Sequence, residues 1–523
     1  MTVTGVFGKQ INPLVVYASL PSQGAHVSEV ADQRTDAPPV TDPNRFKALF
    51  VIAIAQLMIV LDASIVNLAI PSAQKDLGIT PENVQWIVTA YTLAFGGFLL
   101  LGGRIADYVG RKRMFIIGLI GFAAASLLGG LAMNTGLLFG ARALQGVFAA
   151  LLAPAALALI TVTFHDPKER AKAFGVFGAI SGGGAAIGLL LGGVLTEYLS
   201  WRWCLAVNTP IAIVAALLAV RFVRESKAHG DTSYDIPGAI TVTGGLLALV
   251  YGFTQAAPQG YQDTAHWTDP STLVWFALAA ILLVSFVFIE SRSKHPLLPL
   301  RVVKNSNRAG AYISALMVGA GMFAMFLFLG LFLQTILGYS PIKAGFAFLP
   351  FSVGVILSAG LAARFLPKFG PRPLMIPGLL AGAAGMLWLA QLEADSSYLT
   401  HVLPAMVIMS VGMAFVFIPT ATVALHAIDQ HDAGVGSAMI NTSQQVGGSL
   451  GTALMNTVAV TATSSYLAAN GAQNMPAAMT HGFTYGFYVG AALLIAAAVV
   501  VFFMIRIGAD AVDEQDEAPV IAH

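Results

Sequence analysis

The sequence predicts an all-α integral membrane protein of fourteen transmembrane helices, two bundles of six with two extra helices between them. Three observations predict it. Of the 523 residues, 57% are hydrophobic and 10% charged, where a soluble domain carries roughly 25% charged residues, so most of the chain cannot face water. Apolar runs of about 20 residues, the length that crosses a hydrocarbon layer, recur between charges, prolines and glycines. Lys and Arg concentrate in alternate connecting segments. The net charge of +1 offers no basic excess for nucleic acid and no acidic excess for a cationic partner. Cys204 is the single cysteine, which excludes an intramolecular disulfide, and the ten histidines lack ligand spacing, so no metal is expected.

Taken in order, residues 1–45 are polar and rich in Pro, Ser and Asp, and their one apolar patch, INPLVVYASL, is too short to span. Lys9 ahead of that patch is a faint signal-peptide feature only. The segment reads as a disordered cytoplasmic tail, with a misassigned start codon as the alternative. Six spans follow, at 46–70, 84–103, 113–132, 138–162, 171–196 and 204–223, forming a bundle over 46–223. Two more, at 236–256 and 272–290, occupy a linker over 224–308. The second bundle, 309–506, holds spans at 309–334, 342–363, 374–391, 402–426, 434–463 and 483–506. An acidic tail, 507–523, contains Asp513, Glu514, Asp516 and Glu517.

With the N-terminus inside, only Lys75, Arg202 and Lys343 of the 27 basic residues fall in outer loops, and Arg142 falls within a span. The asymmetry places both termini in the cytoplasm. The six tryptophans, at 86, 201, 203, 267, 275 and 388, fall at outer helix ends or outer loops, as interfacial residues do.

The six-two-six division rests on an internal echo. GGRIADYVGRKRMF, Gly102 to Phe115, follows the second span, and ARFLPKFGPRPLM, Ala363 to Met375, follows the tenth. Aligning Gly110 with Gly370 also pairs Arg104 with Arg364 and Lys112 with Arg372, while Pro367 stands opposite Asp107. Parallel six-helix repeats characterise one large transporter architecture. In the first copy, Gly103 and Gly110 permit turns and close approach, and Arg104, Asp107 and Arg111 place both signs of charge at the mouth of two helices. This loop is read as a cytoplasmic gate. Asp107 is expected to pair with arginines or cap a helix, and Lys112 and Arg113 to anchor the inner face.

Asp62 and Arg142 are the two ionisable residues deep inside spans. Such a residue costs at least ~2.5 to 3.5 kcal/mol to insert, so both are functional candidates. Burial favours the protonated form of a carboxylate and a nearby guanidinium the ionised form. Asp62 is therefore assigned the coupling proton and Arg142 its tuning, with a permanent structural ion pair as the alternative. Gly184, Gly188 and Gly192, joined by Gly193, form a small-residue stripe on the fifth span that allows helix backbones to touch. Gly447 and Gly451 repeat the spacing on the thirteenth, whose Asn441, Gln445, Gly448 and Thr452 form a polar stripe. Gln56, Asn67, Gln145, Phe326, Gln334, Asn441 and Gln445 are the candidate cavity residues, backed by Met322, Phe323, Phe328 and Phe332. Interhelical hydrogen bonding and generic packing are the alternatives for these groups. No GxxxxGK[ST] motif with its context occurs, so ATP hydrolysis is not expected. No nucleophile motif or carboxylate pair supports an enzyme.

These residues resemble the major facilitator superfamily, and more closely its fourteen-helix drug:proton antiporter family. Gly103 to Phe115 is similar to the signature between helices 2 and 3. LDASIVNLAIP, Leu61 to Pro71, resembles the helix 1 motif that carries a membrane aspartate. RALQG, Arg142 to Gly146, resembles the helix 4 motif whose arginine is associated with proton coupling. WRWCLAVNTP and LQTILGYSPIKAGFAFLP are also similar to family segments. One departure is Leu189, which follows Gly188 where the family's helix 5 motif usually carries proline. The resemblance implies a proton-coupled exporter of small hydrophobic or amphipathic compounds, of the antibiotic efflux type. It further implies a monomeric protein of the cell membrane, with no cofactor beyond the proton gradient. A proton-coupled importer, or an exporter of one lipid or metabolite, is the other transport reading.

Overall fold

Each strongly apolar run becomes a helix because a backbone inside a bilayer must satisfy its own hydrogen bonds. The computed structural model describes residues 43–509, except 165, 228–234, 261–262, 294–295, 427, 429–432 and 472–473. The helices are α1 Arg45–Leu77, α2 Trp86–Val109, α3 Arg111–Gly130, α4 Thr135–Thr163, α5 Pro167–Tyr198 and α6 Trp203–Phe222. Then come the inserted α7 Ile236–Ala256 and α8 Pro270–Arg292. The second group is α9 Ser306–Leu331, α10 Pro341–Phe369, α11 Pro371–Leu389, α12 Leu403–Leu425, α13 Ala433–Asn470 and α14 Met475–Met504. Thirteen of these are long and apolar enough to cross a membrane. The fourteenth, α13, carries the polar stripe and is continuous over 38 residues. Most of residues 1–45 and 507–523, read as tails, lie outside the described residues.

Helix ends follow local chemistry. Asn134 accepts the Leu137 N–H at 2.8 Å, and Asp166 and Ser340 cap helices that begin with Pro167 and Pro341. Pro71, expected to end the first span, instead lies inside α1, which stops at Leu77 with Gly78 in the left-handed region at φ 62°. A proline removes one helical hydrogen bond four residues back. The carbonyl so freed, that of Asn67, faces Gly330 on α9, where a Cβ would stand 3.6 Å away. Trp201 is buried and donates to Asp76 at 3.1 Å, so it closes the α1–α2 end and does not face lipid.

The internal echo has a structural counterpart. Gly110 adopts φ 128° between α2 and α3, and a Cβ there would come within 2.7 Å of the Glu225 carboxylate. Glu225, in the segment after α6, accepts the backbone N–H groups of Lys112 at 3.0 Å and Arg113 at 3.2 Å, capping α3. Gly370 adopts φ 74° between α10 and α11 and meets Ala509, in the segment after α14. Each bundle thus folds the chain that leaves its last helix onto the glycine of its own loop. Gly110→Ala is expected to destabilise the protein by about 1 to 3 kcal/mol through backbone strain and the clash with Glu225. A thermal unfolding series that included Glu225→Ala would read this, since removing the carboxylate should recover part of the loss. Gly103 behaves differently from expectation: its Cβ would make an ordinary 3.4 Å contact with Pro154, and the close approach is at Gly102, against the Ala150 carbonyl.

The inserted helices lie against the seam between the bundles. Gln85 of the α1–α2 connection donates to Thr254 at 2.9 Å, and Thr457 of α13 donates to the Phe253 carbonyl at 2.7 Å, so α7 is bonded to both. Further bonds between the bundles lie at the α1–α2 end. The Ile342 N–H donates to Glu197 at 2.9 Å, and Asn456 donates to the Pro81 carbonyl at 3.2 Å.

Candidate functional site: a buried charge network beside a central cavity

Asp62 is brought to Arg142 by α1 and α4, and both side chains are fully buried. Arg142 Nη1 donates to Asp62 Oδ2 at 2.6 Å. The other carboxylate oxygen accepts from Gln145 at 2.9 Å and from Asn208, five residues into α6, at 2.8 Å. Gln145 also donates to Ser126 at 2.8 Å, and Arg142 Nε donates to the Ile87 carbonyl at 2.9 Å. The Arg142 guanidinium lies 4.5 Å from the centre of the Tyr91 ring, a cation–π arrangement. Asp62 thus accepts three hydrogen bonds, one at Oδ2 and two at Oδ1. Removing one member of such a pair would strand the other charge at a cost of about 3 to 5 kcal/mol.

Next to this network, between the two bundles, lies a cavity of about 390 Å³, within the range of small-molecule sites. Gln56 and Asn67 of α1, Phe326 of α9, and Asn441 and Gln445 of α13 line it, as the sequence places them. Met322 and Phe323 join them, whereas Phe328 and Phe332 are buried in the core, Phe328 against Phe483 and Phe487. Two candidates lie elsewhere. Gln145 belongs to the buried network. Gln334 sits on the π-helical turn Phe332–Ile336 and donates to the Gly330 carbonyl, outside the lining. Gln444, which the sequence analysis does not single out, lines the cavity because it shares the Asn441 face one turn on. None of the lining residues carries a formal charge at neutral pH.

Tyr91 belongs to both places. It lines the cavity, and its ring covers Arg142. Its hydroxyl is buried without a hydrogen-bond partner among the described residues. Besides Gln444, sequence reasoning misses Tyr91, Asn208 and Ser126. Asn208 had a signal, as a polar residue entering an apolar run after WRWC; a tyrosine in a membrane helix had none.

The glycine stripe of α5 packs against α1. Gly184 faces Val60 and Leu57, Gly188 faces Ser64, and a Cβ on Gly192 would stand 2.6 Å from the Ile65 carbonyl. Gly193 turns to the other bundle, with its Cβ position 2.7 Å from the Pro341 carbonyl. Leu189, in the position of the family's proline, lines the cavity, and a Cβ on Gly345 of α10 would meet its carbonyl at 2.9 Å. Where α2 meets α3, Asp107 pairs with Arg111 at 2.8 Å, and Arg104 donates to the Pro296 carbonyl at 3.3 Å. Among the described residues the Asp107–Arg111 ion pair is local and joins no second bundle.

Comparison with known proteins places these features in context. The model of the Major Facilitator Superfamily matches residues 52–452. The puromycin resistance protein of Streptomyces alboniger is 48% identical over 486 residues, covering 92% of this chain and 95% of that protein. The cephamycin export protein of Amycolatopsis lactamdurans is 38% identical over 424 residues, covering 80% and 85%. Among solved structures, an inward-facing bacterial homologue of the human lysosomal transporter Spinster superposes with a TM-score of 0.64 at 15% identity, covering 88% of this chain and 97% of that one. A D-xylose–proton symporter gives 0.61 at 15% identity, covering 89% and 99%. At these identities the structures speak to fold alone.

Proposed function

This chain belongs to the Major Facilitator Superfamily of membrane transporters, and on that premise we propose that it exports small antibiotic-like compounds from the cell in exchange for protons. The observation that carries the reading is the adjacency of two unlike sites, an uncharged cavity between the bundles and a buried Asp62–Arg142 pair, with Tyr91 as their common wall. The names of the puromycin and cephamycin relatives point to antibiotics as the substrate class. Carboxamides and aromatic rings favour neutral, hydrogen-bonding, partly aromatic molecules, because an unpaired ion would lose its hydration without compensation. Substrates that titrate therefore enter in their uncharged form.

Asp62 takes the proton. Once protonated it no longer matches Arg142, whose freed charge presses on Tyr91 and so on the cavity. Deprotonation restores the pair. Rocking of the bundles exposes the cavity to each side in turn, and the α1–α5 glycine seam is the surface on which the first bundle adjusts. Both termini lie in the cytoplasm, the protein sits in the cell membrane as a monomer, and the proton gradient is the energy source.

Expression in a host stripped of its own pumps tests the direction. Accumulation of neutral, aromatic antibiotics should fall several-fold relative to an empty vector, and Asp62→Asn should restore it. A rise in accumulation would make the protein an importer.

A further inference from the structure

Two further buried acids, Asp235 and Glu290, lie far along the chain from Asp62, at the root of the inserted helices. Glu290, two residues before the end of α8, is 3% exposed. One of its carboxylate oxygens accepts the Leu298 N–H at 3.1 Å. The other, Oε1, is buried and has no hydrogen-bond partner among the described residues. Asp235 caps α7 through Oδ1, which accepts the Gly238 N–H at 2.8 Å, and it is 6% exposed. Its Oδ2 is likewise buried and unpartnered among the described residues.

Among the described residues, the charged groups whose fields reach Glu290 are Asp235 from the start of α7 and Arg104 from the end of α2. Lys294 and His295, between α8 and Pro296, lie outside the described residues. Arg104 is held over this corner by its bond to the Pro296 carbonyl. A buried carboxylate with one oxygen lacking a donor among the described residues is an arrangement that burial makes costly. A proton on Glu290 removes the buried charge and makes the carboxyl an O–H donor.

We propose that Glu290 is a second proton-binding site, which holds one proton on its buried carboxyl and ties the inserted helices to the cytoplasmic end of α2 through Arg104. Drawing Arg104 closer favours release of that proton, and withdrawing it favours retention. Occupancy and gate position are therefore linked reciprocally. The site stands independently of any role for Asp62.

Infrared difference spectroscopy on the full-length protein in lipid nanodiscs reads the site directly, through the C=O stretch of a protonated carboxyl at pH 7. The parent minus Glu290→Gln difference should contain one such band, lost in the variant. Asp235→Asn, which keeps a capping side chain, should move loss of the band to lower pH, and Arg104→Gln should move it to higher pH. The same difference spectrum at every pH for Glu290→Gln would overturn the proposal. So would unchanged band titration in both Asp235→Asn and Arg104→Gln, which covers the case in which Glu290→Gln does not fold.

Discussion

Asp62→Asn should retain substrate binding but lose all gradient-driven accumulation in proteoliposomes. For each proton exchanged, a pH difference of one unit supplies about 1.4 kcal/mol, a factor of about ten in substrate concentration. The wild-type protein should build such a ratio and the variant should stay near unity. Asparagine can still accept from Gln145 and Asn208, but it strands the Arg142 charge in a fully buried site. Loss of about 3 to 5 kcal/mol of stability is therefore expected as well. The double variant Asp62→Asn/Arg142→Gln separates the two effects. Removing both charges should recover most of the stability while transport stays uncoupled. A double variant that regained gradient-driven transport would reduce the pair to a structural one.

The second large effect is at the α1–α5 seam. Gly192→Leu would drive a side chain into the Ile65 backbone, and a backbone carbonyl cannot swing aside as a side-chain end can. Overpacking of this kind costs typically 1 to about 3 kcal/mol or more, and separation of the helices should abolish transport. Gly183→Ala, on the same helix with open space at its Cβ position, is the control. It should stabilise by up to about 1 kcal/mol through helix propensity and leave transport intact. Equal damage from the two substitutions would mean that α5 is sensitive to any change and that the seam has no special role.

Much of the fold was legible because bilayer physics writes it plainly. A span must be apolar and about 20 residues long, and a repeat leaves its loops in equivalent places. The end of α1 was not legible, because Pro71 reads as a stop and the helix absorbs it by turning the Asn67 carbonyl toward Gly330. In the site, Asp62 and Arg142 stand out because charge in an apolar run is expensive. Gln145 has no such mark that would separate a cavity wall from a buried network; the neighbouring helices decide, and Ser126 and Asn208 complete the network from α3 and α6. Glu225 caps α3 from a segment more than a hundred residues away in sequence, a contact that no local pattern predicts. Glu290 was read as the end of a span, and only the fold brings its carboxylate to the Leu298 N–H, two residues from the Pro296 carbonyl to which Arg104 donates.

Proton movement on addition of substrate is the most direct test of coupling. Proteoliposomes containing the wild-type protein, loaded with a pH-sensitive dye and held without an imposed gradient, are given a neutral aromatic antibiotic on one side. Protons should move against the substrate, acidifying the side from which it enters, and Asp62→Asn vesicles should show no change. Substrate uptake without any proton movement in the wild-type protein would contradict exchange through Asp62.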